Sequence, residues 1–189
     1  MTRSVMASIS ADVAKKIEEF ATLFAKWNKT INLSAARTPA EIREHIVDSF
    51  EVVPYLGDAS RVVDVGSGGG FPVVIAAIAC PQINFTALEP VHKKHAFLRT
   101  AARQLSLVNL EAFAVRVDDH DVRDYDVATS RATFDLPDWF ATGLTLVRPG
   151  GLVLGFEALL REDLPAGVVR HPYHLDGKTR AIVALGRAS

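Results

Sequence analysis

The sequence predicts an α/β fold: a mostly parallel seven-stranded sheet that ends in an antiparallel hairpin and follows an N-terminal helical extension. Three observations lead to this class. From residue 61 onward, β-prone segments alternate with helical segments, which is typical of a parallel sheet. The chain before residue 58 shows only a helical apolar period. Later, Asp176-Gly177 separates two β-prone runs, a strong signal for a two-residue hairpin turn.

The helical extension is predicted over residues 1–57 and the sheet domain over residues 58–189. A second helix of the extension should begin at Thr38-Pro39-Ala40-Glu41, because Thr38 can cap it, Pro39 suits its first turn and Glu41 completes a capping box. Each helix carries one apolar stripe at helical spacing. The first stripe is Val13, Ile17, Phe20, Phe24 and Trp27, and the second is Ile42, Ile46, Phe50 and Val53.

In the sheet domain, strands are predicted at residues 61–65, 83–88, 110–115, 126–129, 152–156, 167–174 and 179–185. Helices at residues 72–80, 91–105 and 136–146 should connect the parallel strands. The last of them is expected to end at Arg148-Pro149-Gly150-Gly151, because proline and glycine stop a helix.

Composition excludes several classes of protein. With 49% hydrophobic and 23% charged residues over 189 positions, the chain is neither disordered, collagenous nor a coiled coil. A single cysteine, Cys80, allows no internal disulfide and no zinc spacing, which predicts a reducing compartment and no metal site. Residues 1–10 lack a signal-peptide core, and the longest apolar run, residues 71–80, is too short for a membrane span. A cytoplasmic protein without a membrane partner is expected.

A glycine loop carries the predicted chemistry. Glycines between a strand and a helix allow positive φ and the close approach of a ligand, and the helix behind them offers free N–H groups. Glu89 lies 19 residues after Gly70, at the end of the next strand, where a carboxylate can accept both hydroxyls of a ribose. The sequence therefore predicts a nucleoside-containing cofactor. The dinucleotide fingerprint requires a third glycine where Phe71 stands, so an NAD-dependent dehydrogenase is disfavoured.

The spacing Asp64-x-Gly66-x-Gly68-x-Gly70 resembles motif I of the class I S-adenosylmethionine methyltransferases, which have a Rossmann-like fold with a terminal hairpin. Further segments resemble one family of that class, the bacterial small-subunit (16S) rRNA guanine-N7 methyltransferase G, also called the glucose-inhibited division protein B family. These segments are Trp27-Asn28-Lys29-Thr30-Ile31-Asn32-Leu33-Ser34, His45-Ile46-Val47-Asp48-Ser49, Gly66-Ser67-Gly68-Gly69-Gly70-Phe71-Pro72, Glu89 with Lys93-Lys94 and Phe97-Leu98, and Ser130-Arg131-Ala132.

The resemblance implies transfer of a methyl group from S-adenosylmethionine to N7 of a guanine in 16S rRNA, by a monomer whose partner is the small ribosomal subunit. It implies a catalytic, substrate-side group of Arg131, His45 and Asn32, with Asp48 anchoring its helix. It also implies a cofactor-binding group: Asp64, Gly66, Ser67, Gly68, Gly70 and Phe71 of the loop, Glu89 at the ribose, Val117 and Asp118 at the adenine, and Arg131 beside the sulfonium.

The sequence departs from the family pattern in two places. Val73 and Ile75 stand where the family usually has a glycine and a proline, and Glu157 stands where the family tends to carry a lysine. Glu157 and the net charge of −1 keep a methyltransferase of a non-rRNA substrate open as an alternative, and a non-catalytic S-adenosylmethionine-binding protein is another.

One predicted helix carries four basic residues, which are Lys93, Lys94, Arg99 and Arg103. They form either a contact surface for RNA or an ordinary solvated helix face.

Overall fold

The computed structural model describes residues 9–188, in which seven strands form one sheet. They are β1 (Arg61–Val65), β2 (Asn84–Leu88), β3 (Leu110–Phe113), β4 (Tyr125–Ser130), β5 (Val147–Glu157), β6 (Val169–Leu175) and β7 (Lys178–Gly186). Their order across the sheet is β3-β2-β1-β4-β5-β7-β6. The first five strands are parallel, and β7 runs antiparallel to both β5 and β6. The predicted fold class is confirmed.

Five α-helices accompany the sheet in the described part of the chain: α1 (Ala11–Ile31), α2 (Pro39–Phe50), α3 (Val73–Ala79), α4 (His92–Gln104) and α5 (Leu136–Leu146). Each lies where the sequence predicts one. The run predicted as a buried helix is α3, in which every side chain from Val73 to Ile78 is buried. No helix within residues 9–188 is long and apolar enough to cross a membrane. Among those same residues, no three His, Cys, Asp or Glu side chains come together as a metal site.

The start of β5 differs from the prediction. The segment Arg148-Pro149-Gly150-Gly151, expected to be a stop before the strand, is part of β5, which begins at Val147. Val147 pairs with Tyr125, and the register then shifts before Val127 pairs with Leu152. That irregularity accommodates a proline, which has no N–H to donate to a regular ladder.

The two helices of the extension begin as their capping residues dictate. Ser10 Oγ accepts a hydrogen bond from the Val13 amide, and Thr38 and Glu41 form the predicted capping box at α2. Phe20 and Phe24 of α1 are fully buried, and their ring centroids lie 5.3 and 5.0 Å from that of Phe71 in the glycine loop. The extension therefore packs directly against the loop that follows β1.

The hydrophobic core is continuous across the predicted domain boundary. One cluster of buried side chains includes Phe20 and Phe50 from the extension together with Val62 and Ile75 from the sheet domain. The division into residues 1–57 and 58–189 therefore stays a prediction. Residues 1–8 of the extension lie outside the described residues. They include most of residues 1–10, the segment predicted to lack a signal-peptide core.

Candidate functional site

Two side chains, those of Thr133 and Glu89, lie close to the backbone of the glycine loop. Gly66 has φ +72°, and a Cβ placed on it would lie 2.3 Å from Thr133 Oγ1 in the loop after β4. Gly68 has φ +51°, and its N–H donates to Glu89 Oε2 at 2.8 Å. Both positions need glycine: a side chain would clash at the first, and an L residue would be strained at either.

Two buried carboxylates lie beneath this loop. Asp64 is 1% exposed, and its Oδ1 accepts a hydrogen bond from Thr129 Oγ1 at 2.7 Å. Its Oδ2 has no hydrogen-bond partner among the described residues, and burial raises the pKa of Asp64 to about 6. Glu89 is also buried, and its two oxygens accept the N–H groups of Gly68 and Val91. Glu89 therefore holds the loop in place.

Two cavities open at the carboxyl edge of the sheet, and Gly66 and Thr133 line both of them. The first, of about 610 Å³, is also lined by Val117 and Asp118 of a 3₁₀ turn. The second, of about 540 Å³, is bounded by the glycine loop, by α2 and the segment after α1, and by residues of β5, β6 and β7. We call the first the outer cavity and the second the inner cavity. Such an edge is where open α/β folds bind ligands.

Asp48 of α2 holds three elements around the inner cavity. Its Oδ2 accepts from Arg131 Nη1 at 3.0 Å, and its Oδ1 accepts from Tyr173 Oη at 2.8 Å and Arg180 Nη1 at 2.9 Å. Arg180 also donates to Glu44. The prediction that Asp48 anchors its helix by hydrogen bonds is confirmed. The same contacts leave Arg131 ion-paired, with its side chain 15% exposed.

His45 lies on the wall of the inner cavity, one helical turn before Ser49. Its ring packs against Phe71, with centroids 5.3 Å apart, and its Nδ1 lies 3.4 Å from Arg131 Nη1. Burial, and then the positive charge of Arg131, lower the pKa of His45 below its usual range. The ring is therefore neutral at pH 7. Since an arginine only donates, Nδ1 is the acceptor and the ring proton is assigned to Nε2.

The structure brings most of the predicted site residues to the two cavities. Those that line a cavity are Gly66, Ser67, Gly68, Phe71, His45, Arg131, Val117 and Asp118. Asp64, Gly70 and Glu89 support the loop without lining either cavity. Asn32 is not brought to the wall: it is the exposed C-cap of α1, with φ +57°, and its side chain accepts from Arg37. Its role at the site stays a prediction.

Glu157 does not present a free negative charge to the inner cavity. The residue is 3% exposed, and its carboxylate accepts from Arg170 Nε at 3.0 and 3.2 Å and from the Arg161 amide at 2.9 Å. The charge reversal noted in the sequence is thus neutralised by an arginine on β6.

The inner cavity also contains side chains that the sequence did not predict as site residues, among them Thr133, Tyr173 and Arg180. Thr133 packs on Gly66, while Tyr173 and Arg180 reach Asp48 from the hairpin. They are separated from their partners by 67 to 132 positions along the chain, and no local spacing indicates such pairs. Lys94 also lines this cavity, although the sequence suggested it only as part of a basic helix face.

Comparison with known proteins identifies relatives over most of the chain. Residues 13–164 match the family described as rRNA small subunit methyltransferase G. A protein of that name from Janthinobacterium sp. (strain Marseille) is 33% identical over 172 residues, covering 88% of this chain and 78% of the relative. Another from Burkholderia mallei (strain NCTC 10229) is 42% identical over 154 residues, covering 77% and 67%.

Solved structures with the same fold are methyltransferases of low sequence identity. The O-methyltransferase TomG from Streptomyces achromogenes, in complex with SAM, superposes with a TM-score of 0.62 at 15% identity, over 96% of this chain and 92% of that one. An O-methyltransferase from Bacillus cereus in complex with SAH gives 0.64 at 16% identity, over 92% and 91%. At these identities the likeness shows the fold, which is Rossmann-like.

Proposed function

Because the chain belongs to the rRNA small subunit methyltransferase G family, we propose that it transfers a methyl group from S-adenosylmethionine to N7 of a guanine in small-subunit (16S) rRNA. The observation that carries the proposal is the pair of cavities that meet at Gly66. A two-part cofactor and a base need adjoining compartments, and Gly66 of the glycine loop lines both of these.

The residues at this edge fit S-adenosylmethionine. Val117 and Asp118 would hold the adenine in the outer cavity. Glu89 lines neither cavity but has a free lone pair on each oxygen, and after a small shift of the loop it would accept the ribose hydroxyls. Gly66, Ser67 and Gly68 would contact the methionine half, with Gly70 shaping the loop. The unpartnered Oδ2 of Asp64 is an acceptor suited to an ammonium group after a small shift of the loop. When bound, the cofactor supplies an electrophilic methyl group on a sulfonium.

Charge balance defines the role of Arg131. A free guanidinium beside a cationic methyl donor would repel it. Asp48 neutralises Arg131, and the contact of Arg131 with the Phe71 ring, 5.2 Å from the centroid, orients it along the cavity wall. In that position Arg131 can donate a hydrogen bond to a base or a phosphate without adding net charge. We propose that it positions the substrate.

His45 would select the edge of the guanine. Guanine presents two adjacent acceptors there, O6 and N7, and methylation requires that the N7 lone pair stay free. A neutral His45 with its proton on Nε2 can donate to O6, which leaves N7 unblocked next to it. N7 carries no proton, so no general base is needed, and positioning supplies most of the rate. Asn32 stays in the proposal only as a support of the Asn32–Ala35 segment beside the cavity.

RNA would approach across the basic face of α4. Lys93, Arg99 and Arg103 are exposed on this helix, and Lys94 lines the inner cavity. The alternative of a non-rRNA substrate rests on Glu157 and on the net charge of −1, and the pairing of Glu157 with Arg170 removes the first of these two arguments. We further propose that the protein works as a monomer in the cytoplasm, without a membrane partner, with residues 1–57 covering a cofactor-binding domain of residues 58–189.

The test is transfer of a labelled methyl group from S-adenosylmethionine to small subunits from a strain that lacks the N7 modification. Intact subunits and deproteinised rRNA are compared, and the product is digested to nucleosides. We expect the label in 7-methylguanosine. Glu89→Ala should lose cofactor binding and transfer, whereas Glu111→Ala, an exposed acid on β3, should keep both. If the chain bound the cofactor but methylated neither RNA, the proposed substrate would be wrong. If it bound no cofactor, the proposed reaction would be wrong.

A further inference from the structure

Two adjacent leucines are exposed next to the inner cavity. Leu159 is 81% exposed and Leu160 is 78% exposed, and Ala158, the residue before them, lines the cavity. We call these two residues the leucine pair. Single exposed aliphatic side chains are ordinary on protein surfaces, but two adjacent ones at the mouth of a site are a contact surface for something that binds there.

The segment that carries the leucine pair is held rigidly on both sides. Before it, Glu157 is buried and bonded to Arg170. After it, the Arg161 amide donates to Glu157 Oε1 at 2.9 Å, and the Arg161 guanidinium donates to both oxygens of Asp135 at 2.6 and 3.0 Å and to Asp163 at 2.5 Å. The pair is thus presented to solvent by a fixed turn, which lowers the entropy cost of binding through it.

The polar groups of this turn are already occupied. The carboxylate of Glu157 faces Arg170, and Arg161 is shared between Asp135 and Asp163. Of the described cations that line the inner cavity, only Lys94 is without an ion pair, and it comes from α4. On the β5 side of the mouth, the exposed side chains free to touch a substrate are therefore aliphatic, except for the carboxylate of Glu162, which would repel a phosphate. A phosphate finds no partner there, but the flat face of a base does.

We propose that the leucine pair packs against the base next to the target guanine and fills the gap left when that guanine enters the inner cavity. The inference rests on the proposed rRNA substrate. A stacked base must leave its neighbours before its N7 can reach a cavity behind Gly66, and unstacking is unfavourable unless something replaces the lost contacts. Apolar side chains inserted between bases do this in other nucleic-acid complexes.

The experiment compares the full-length chain with the double variant Leu159→Ser/Leu160→Ser and with Val108→Ser, whose side chain is 100% exposed beside β3. We expect kcat/KM for small subunits to fall about tenfold or more in the double variant. Affinity for S-adenosylmethionine and the unfolding temperature should stay unchanged. The salt dependence of binding should keep its slope, because no phosphate contact is removed. Val108→Ser should match the unaltered chain in every measurement.

A photo-crosslinking residue identifies what the pair touches. The Leu159→p-benzoylphenylalanine variant, irradiated on small subunits, should attach to rRNA. Attachment to a ribosomal protein instead, no attachment to either, or a double variant within twofold of the unaltered kcat/KM would overturn the proposal while leaving the methyltransferase intact. If the unaltered chain transfers no methyl group to small subunits, the proposed function is refuted, and the proposed role of the leucine pair is refuted with it.

Discussion

At Gly66 the loop after β4 comes so near the backbone that the space for a side chain is already taken by Thr133. Two costs would follow from Gly66→Ala: about 1–2 kcal/mol for a left-handed alanine and about 1–3 kcal/mol for the clash. The expected loss of unfolding free energy is therefore larger than for Gly57→Ala, where φ is +51° but nothing lies within 4 Å.

Urea denaturation of both variants measures the difference. Removing the Thr133 side chain in the Gly66→Ala background, by Thr133→Gly, should recover part of the clash cost but none of the backbone cost. Equal losses in Gly66→Ala and Gly57→Ala would contradict the close approach of the two loops.

Asp64 should make stability depend on pH in an unusual direction. Its pKa of about 6 in the folded chain exceeds the value of about 3.9 in an unfolded one, so the folded state binds the proton more tightly. This contribution is complete below pH 4 and is lost as the pH rises through 6. The free energy of unfolding of the unaltered chain, relative to Asp64→Asn, should fall by roughly 2 kcal/mol between pH 4 and pH 7. Chemical denaturation of both proteins across that pH range tests this prediction. If their free energies of unfolding changed in parallel with pH, Asp64 would not be a buried, unpartnered carboxylate.

Residue-level prediction from sequence worked where a residue acts on its near neighbours. Gly66 and Gly68 lie in the strand-to-helix loop and Glu89 directly after β2, as their spacing predicts, while their role in cofactor binding stays a prediction. The partners of Asp48 were not found, because Tyr173 and Arg180 are 125 and 132 positions away and their spacing carries no signal. For Asn32 the motif predicts a place at the site, whereas the structure shows a left-handed helix cap whose side chain accepts from Arg37, so its role there stays a prediction.

At the scale of elements, Asp48 connects α2 to the loop after β4 and to the final hairpin. Asp48→Asn removes the carboxylate that pairs with Arg131 and Arg180, whose side chains are only 15% and 16% exposed, and Arg131 loses its counterion while Arg180 keeps Glu44. Leaving buried charges without their counterion costs about 3–5 kcal/mol, so we expect a loss toward the lower end of that range. Asp12→Asn is the control, since its ion pair with Lys16 is on the surface and contributes little. Thermal unfolding measures both, and equal shifts would argue against the anchoring role.

The elements themselves were predictable because strand and helix periods differ and because their ends carry capping and turn residues. The α2 capping box and the Asp176-Gly177 turn, with both residues at positive φ, appear where the sequence indicates them. The start of β5 was missed because tertiary pairing overrides local preference: Gly150 and Gly151 exchange backbone hydrogen bonds with Arg187 just beyond β7. Proline and glycine predicted an interruption, and pairing with the hairpin maintains the strand.

At the scale of the whole molecule, one core joins the extension to the sheet. Phe20 and Phe24 are fully buried against Phe71 and Phe97, so unfolding α1 alone would expose the largest aromatic cluster around the glycine loop. We therefore expect a single unfolding transition, with a calorimetric enthalpy equal to the van 't Hoff enthalpy. Scanning calorimetry that resolves two transitions would instead support a separable extension.

The hydrogen bonds and ion pairs of Asp48 also determine when the inner cavity can form during synthesis. Asp48 is made early, but Arg131, Tyr173 and Arg180 follow 83, 125 and 132 residues later. At 5–20 residues per second, translation takes on the order of ten seconds to deliver the last of them. Until then Asp48 lacks its polar partners in the hairpin, and the wall that carries His45 is incomplete. The inner cavity is therefore complete only when the hairpin has been made and has folded back onto α2.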